Sequence, residues 1–288
     1  MHLPALLSVG VLGIAAVGCS SGDGGFDAGP VQHLCLLPPD GGILAGGFPS
    51  AIPGCSQSGQ PTGVLDLKTL GWGDGVLVVP EMLTPGAPLP VLLVFHGAGG
   101  NAEETRAEFQ LDGAADGGAI VAYLQSSAAT WNIGQATPDA RRVDVVLQHL
   151  TESYCIDPHR VFGVGFSAGA VFGLYLTCNV PAVFRGVASV AGTDDRFDIS
   201  CCTSPQSAIV IHGSFDAAFA ITQAQSVRNR YLGRDGCSAA NPTDAGADCQ
   251  EYAACTSGER VDWCPWNGDH SVPTWAGEEI WRFVSEVR

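Results

Sequence analysis

Residues 161–173, VFGVGFSAGAVFG, constrain this chain more than any other stretch. They contain Gly165-Phe166-Ser167-Ala168-Gly169. Residues 160–166 form an apolar run rich in β-branched residues and Phe, the pattern of a buried strand, and 168–176 are small and apolar, the pattern of a buried helix. A strand that turns abruptly into a helix through a glycine-flanked serine can present that serine as a nucleophile. The tight turn exposes the hydroxyl, the glycines admit neighbouring backbone, and the helix N-terminus directs partial positive charge at an oxyanion forming beside Ser167 Oγ. The plain alternative is a strand, a turn and a helix with an ordinary serine. The rest of the chain decides between them.

Around this centre the pattern alternates. Residues 75–80, 89–96, 119–125, 186–192, 208–213 and 258–266 read as strands. Residues 103–111, 138–154, 215–232 and 274–287 read as helices, the second with Val143, Val146, Leu147 and Leu150 on one face. Alternating apolar strands and helices predict an α/β fold, a mostly parallel sheet with helices on both faces. With 46% hydrophobic residues in 288, a single sizeable core over 64–288 is expected, and no internal repeat is evident.

Parallel strands end on one edge of a sheet, where ligands bind. Three polar groups follow strands there in the order Ser167, Asp216, His270, and the loop 96–101 (His-Gly-Ala-Gly-Gly-Asn) follows an early strand. A serine hydroxyl needs a base to take its proton, which His270 can do near neutral pH. Asp216 would fix the imidazole tautomer, and the N–H groups of Ala98 and Ala168 would hold the oxyanion. The competitors read differently. His212 is strand-end packing, His149 and His159 lie on a helix surface and in a turn, and His96 is a hinge of the oxyanion loop. Asp194 and Asp195 follow the preceding strand and have plausible geometry, Asp269 is loop-forming, and Asp144 is a capping or packing partner. Phe166, Trp131 and Trp266 are pocket-lining candidates. Ser-Asp-His is the chain order of an α/β-hydrolase.

The formal net charge of −16, with Lys68 the one lysine, disfavours nucleic acid and anionic membrane surfaces as partners. Eleven cysteines without metal-ligand spacing point to an oxidising compartment and predict no metal site. Residues 3–18 are a short apolar segment, too short for a comfortable span, so 1–19 read as an export signal and the mature chain is expected to have no transmembrane span. Ala16-Val17-Gly18-Cys19 resembles a bacterial lipobox that would lipidate Cys19 and leave ten cysteines to pair. Residues 20–63 read as a tether and a Cys-containing arm.

The loop from His96 to Gly100, residues 155–162 (CIDPHRVF), GFSAG at 165–169, HGSFD at 212–216 and VDWCPWNGDHSVP at 261–273 together resemble the secreted polyhydroxybutyrate-depolymerase-like and feruloyl esterases of carbohydrate esterase family 1. That resemblance spans about residue 72 to the C-terminus. It implies a Ser-His-Asp esterase without cofactor, with Ser167, Asp216 and His270 at the triad positions and Ala98 at the oxyanion position. Ala98, where many polyhydroxybutyrate depolymerases carry Cys, favours feruloyl or acetyl esters of plant polysaccharide over a polyester. A peptidase and a non-catalytic surface binding protein are the readings from other classes. Topology places Cys155, Cys178, Cys201 and Cys202 at the edge opposite the site, where pairing among them is expected. Cys237, Cys249, Cys255 and Cys264 read as staples of a loop bordering the site, with Cys35 or Cys55 as further partners.

Overall fold

The computed structural model describes residues 42–134, 137–240 and 242–287. The residues read as an export signal and tether, with Cys19 and Cys35, lie outside the described residues. Strands β1 (Gly63–Asp66), β2 (Gly75–Val79), β3 (Leu89–Phe95), β4 (Ile120–Leu124), β5 (Ile156–Phe166), β6 (Gly186–Val190), β7 (Ser207–Gly213), β8 (Thr243–Asp244), β9 (Gln250–Tyr252) and β10 (Val261–Trp266) form one sheet, in the order β1-β2-β4-β3-β5-β6-β7-β10-β9-β8. The block from β4 to β10 in that order is parallel, and antiparallel strands flank it on both sides. Its central strands are buried on both faces, which is why they read as continuous apolar runs rather than alternating ones.

The helices are α1 (Ile43–Gly46), α2 (Ala102–Phe109), α3 (Leu111–Ala115), α4 (Pro138–Ser153), α5 (Ala168–Asn179), α6 (Ile221–Asp235) and α7 (Ala276–Glu286). On one face, Val143, Val146, Leu147 and Leu150 of α4 and Phe172 and Leu176 of α5 pack over Val91, Leu93 and Phe95 of β3. On the other, Phe109, Leu111, Ile280 and Phe283 pack over Leu92, Val94, Phe162 and Ile209. With both faces covered, the C-terminal ends of the parallel strands are the accessible edge.

Three of the boundaries that differ from the sequence expectation have a local reason. The helix expected over 103–111 breaks at Gln110, which is left-handed at φ 50°. Strand β5 begins at Ile156 rather than 160. The register to β3 jumps from Leu89/Ile156 to Val91/Val161, so residues 157–160 lie opposite Pro90 alone in an irregular bulge. Helix α6 begins at Ile221 rather than 215, because Asp216 Oδ1 accepts the N–H groups of Ala218 and Phe219, both at 2.8 Å, and holds 216–219 as a turn.

The arm is joined to the domain by Cys55–Cys155, by Leu44 N–H donating to Asp144 Oδ1 at 2.8 Å and by Tyr154 O–H donating to Pro61 O at 2.7 Å. Cys155 thus pairs with the arm and not with Cys178, Cys201 or Cys202. The reason is that the arm crosses the start of β5. Cys178 pairs with Cys202, Cys201 is also disulfide-bonded, and Cys237–Cys255 and Cys249–Cys264 staple the segment before His270 among themselves. These bonds belong to a chain that folds in an oxidising compartment. Among the described residues no helix is long and apolar enough to cross a membrane.

Candidate active site

Ser167 sits between β5 and α5 at φ 53°, ψ −117°, a conformation that is strained for any residue but glycine. Its N–H donates to Val190 O at 2.9 Å and its carbonyl accepts Val171 N–H at 3.0 Å, so the turn is held from both elements. The side chain is left at the sheet edge. The flanking glycines fit by size and not by conformational freedom. A methyl group on Gly165 would lie 2.3 Å from the Gly169 carbonyl carbon, and one on Gly169 would lie 2.1 Å from Phe95 O.

His270 Nε2 is 2.8 Å from Ser167 Oγ and Nδ1 is 2.7 Å from Asp216 Oδ2. The Asp216 side chain is fully buried and the His270 side chain is 25% exposed. Burial alone would push the Asp216 carboxyl up. The N–H of Phe219, the His270 imidazole and the N–H of Ala218 outweigh it and hold it below its ordinary value. An ionised Asp216 only accepts, so Nδ1 carries the imidazole proton and the Nε2 lone pair faces the Ser167 hydroxyl.

The loop after β3 is fixed from below. Ser126 N–H donates to His96 Nε2 at 3.1 Å, which leaves the His96 proton on Nδ1, donated to Gly97 O at 2.6 Å. Gly99 N–H donates to Ala129 O at 2.6 Å. A methyl on Gly97 would meet the Phe166 ring at 2.8 Å and Ser167 Cβ at 3.6 Å, which sets this loop against the serine. Among the described residues neither Ala98 N–H nor Ala168 N–H has a protein acceptor, and Ala168 opens α5, whose N-terminus carries partial positive charge.

The three aromatic candidates separate. Phe166 lies beside the site, its ring 5.0 Å from the His270 ring. Trp131 is not a pocket residue: it is buried, stacks on Phe172 at 4.9 Å and donates Nε1–H to His96 O at 2.8 Å, so it props the loop. Trp266 lies under the His270 loop, where a methyl on Gly268 would meet its ring at 2.0 Å, and its carbonyl accepts Ser214 and Gly268 N–H. Asp194 is committed to Arg230, Asp195 accepts from Gln223 at 2.6 Å, and Asp269 accepts from Ser271. Asp144 binds Leu44 and Gln148, and His149 stacks on Trp72 at 4.9 Å.

Phe219 belongs to the site although no sequence signal marks it. Its N–H binds Asp216, its carbonyl accepts His212 Nε2–H at 2.8 Å, and its ring lies 5.8 Å from that of His270. A turn residue three positions after the acid carries no periodicity that would mark it. Burial lowers the pKa of His212, the neighbouring His270 adds to this, and Phe219 O and Asp216 only partly offset it. A folded-state value below the unfolded one means that the unfolded chain binds the proton first. Stability is then highest above pH ~6.5 and falls as the pH is lowered towards the folded value. The melting temperature is therefore expected to drop as the pH is lowered below about 6.5, and to drop less in His212→Gln. Thermal scans of both proteins across that window check it, and equal slopes would rule His212 out as the source.

The mostly parallel sheet and the strand-turn-helix serine joined to His270 and Asp216 define an α/β-hydrolase fold. No family model matches the chain. Proteins similar in sequence include NocK of Nocardia uniformis subsp. tsuyamanensis, 40% identical over 38% of this chain; feruloyl esterase D of Neurospora crassa, 30% over 54%; and feruloyl esterase C of Emericella nidulans, 26% over 80%. These matches span 36%, 58% and 90% of the respective relatives, so the chain covers only about a third to six tenths of the first two. An acetyl xylan esterase of Aspergillus awamori shares the fold, with a TM-score of 0.59 and 15% identity over 74% of this chain and 96% of that one. The chain is thus similar in sequence to feruloyl esterases and in fold to an acetyl xylan esterase.

Proposed function

We propose that this protein is an exported serine esterase that cleaves feruloyl or acetyl esters of plant polysaccharide through an acyl-Ser167 intermediate. The observation that carries the reading is the continuous hydrogen-bonded path from Ser167 Oγ through His270 to a buried, ionised Asp216. His270 Nε2 takes the hydroxyl proton as Oγ bonds to the carbonyl carbon. The carbonyl oxygen becomes an oxyanion that receives the N–H groups of Ala98 and Ala168. The imidazolium, stabilised by Asp216, then gives its proton to the leaving alcohol as the ester C–O bond breaks. Water repeats the cycle on the acyl-serine, releasing the acid and restoring Ser167.

The feruloyl esterases among the relatives support the acyl class, and the disulfides support export. Lipid anchoring at Cys19 and a division into signal (1–19), tether and arm (20–63) and catalytic domain (64–288) belong to the same proposal. The test is a parallel assay on methyl ferulate, acetylated xylan and a 3-hydroxybutyrate oligomer, with fluorophosphonate labelling. Ferulate or acetyl-xylan cleavage with label on Ser167 is the expected result. Preferential oligomer cleavage would make it a polyester depolymerase. No turnover of any ester and no labelling would make it a binding protein.

A further inference from the structure

Beside the site lies a trough of about 320 Å³, walled by His270, Phe166 and Val272 and by the polar side chains of Glu108, Gln110, Ser271 and Thr274. Ser167, Ala98 and Ala168 do not line it. In an acyl-Ser167 reaction the acyl group is bonded to Oγ and extends along the serine and the oxyanion donors. The leaving oxygen takes its proton from His270 Nε2, so whatever that oxygen carries extends past the imidazole. A cavity walled by the imidazole, and not by the serine, is therefore on the alcohol side. Its volume is at the lower end of small-ligand pockets, roughly 300–1,000 Å³, room for about one ring.

The polar wall carries one unneutralised charge. Arg106, on the same helix as Glu108, is committed to Asp112 at 2.9 Å. Glu108 is exposed at the trough's rim; partial desolvation raises its carboxyl and Glu104 raises it further, with no cation drawing it down. The His270 loop adds Asp269, itself an anion, which accepts Ser271 Oγ–H at 2.6 Å. Gln110, held left-handed at φ 50° where α2 ends, is a further polar residue of the wall.

We propose that this trough receives the alcohol half of the ester, and that Glu108 makes it select an uncharged, hydroxyl-bearing alcohol over an anionic one. This rests on the serine-esterase reading. The test compares kcat/KM of the full chain and of Glu108→Gln on three esters: phenyl acetate, 4-acetoxybenzoate (an anionic leaving alcohol) and phenyl hydrogen succinate (an anionic acyl group). Glu108→Gln is expected to raise the 4-acetoxybenzoate to phenyl acetate ratio about five- to tenfold. Added salt should narrow the difference between the two proteins. The phenyl hydrogen succinate to phenyl acetate ratio is expected to move less than about twofold. An unchanged first ratio with both esters turned over would overturn the role of Glu108. A larger shift for the succinate ester would make the trough the acyl pocket. Loss of phenyl acetate turnover in the unmodified protein would instead sink the esterase reading itself, which the neutral ester reports alone.

Discussion

Ser167→Ala is expected to lower kcat on any ester by about 10⁴- to 10⁶-fold, the range seen when a serine nucleophile is removed from a triad that acts as a unit. Of the described hydroxyls, Ser167 Oγ is the one that meets His270 Nε2, and the imidazole is fixed on its far side by an ionised carboxylate. Without the hydroxyl, His270 has only water to activate. Ser167→Gly should abolish turnover equally but behave differently in a melt. Ser167 is held at φ 53°, ψ −117°, which alanine tolerates no better than serine and glycine adopts freely. Strain of this kind costs about 1–3 kcal/mol, so the glycine variant is expected to melt above the alanine one. Steady-state rates with an activated acetate, together with melts of the three proteins, check both halves. A Ser167→Ala protein that kept most of its activity would move the nucleophile elsewhere.

What is legible in this amino-acid sequence has a physical basis. The elbow was legible because strand, turn and helix are contiguous and their signals local. Asp216 and His270 were legible because parallel strands deliver their C-terminal loops to one edge whatever the loop lengths. What the sequence did not carry was side-chain commitment across the fold. Trp131 looks the same in a string of letters whether it lines a pocket or props His96, and only its bond to the His96 carbonyl decides. The stretch 103–111 is composed like a helix, but Gly277 of α7 packs so closely on Phe109 that a methyl there would sit 2.1 Å from its carbonyl oxygen. The break at Gln110 therefore lies where another element bears on the helix end. Residues 215–220 have helical composition too, and Asp216 spends a carboxylate oxygen on their N–H groups instead. Cys155 could be assigned to an edge but not to a partner, because the arm bearing Cys55 has no periodicity from which to place it.

The two elbow glycines make the sharpest stability prediction. Neither has a positive φ, so backbone freedom is not their role. Gly169→Ala places a methyl 2.1 Å from Phe95 O and 2.6 Å from His96 O, which are backbone atoms at the end of a fully buried strand and cannot turn aside. Relief requires α5 to lift off β3. We expect a loss of about 3–5 kcal/mol, at the high end for a single substitution. The same displacement would carry the His96–Gly100 loop away from Ser167, so the fraction that folds should turn over esters slowly. Gly173, one turn further along α5, is the control: a methyl there meets Val187 Cγ2 at 3.6 Å and the Phe95 ring at 3.7 Å, ordinary contact. Gly173→Ala should be neutral or stabilise by up to about 1 kcal/mol, because alanine favours the helix. Denaturant titration of the two variants, each with its residual activity, separates the cases. If Gly169→Ala is as stable and as active as Gly173→Ala, then close packing of α5 on β3 does not hold the site together.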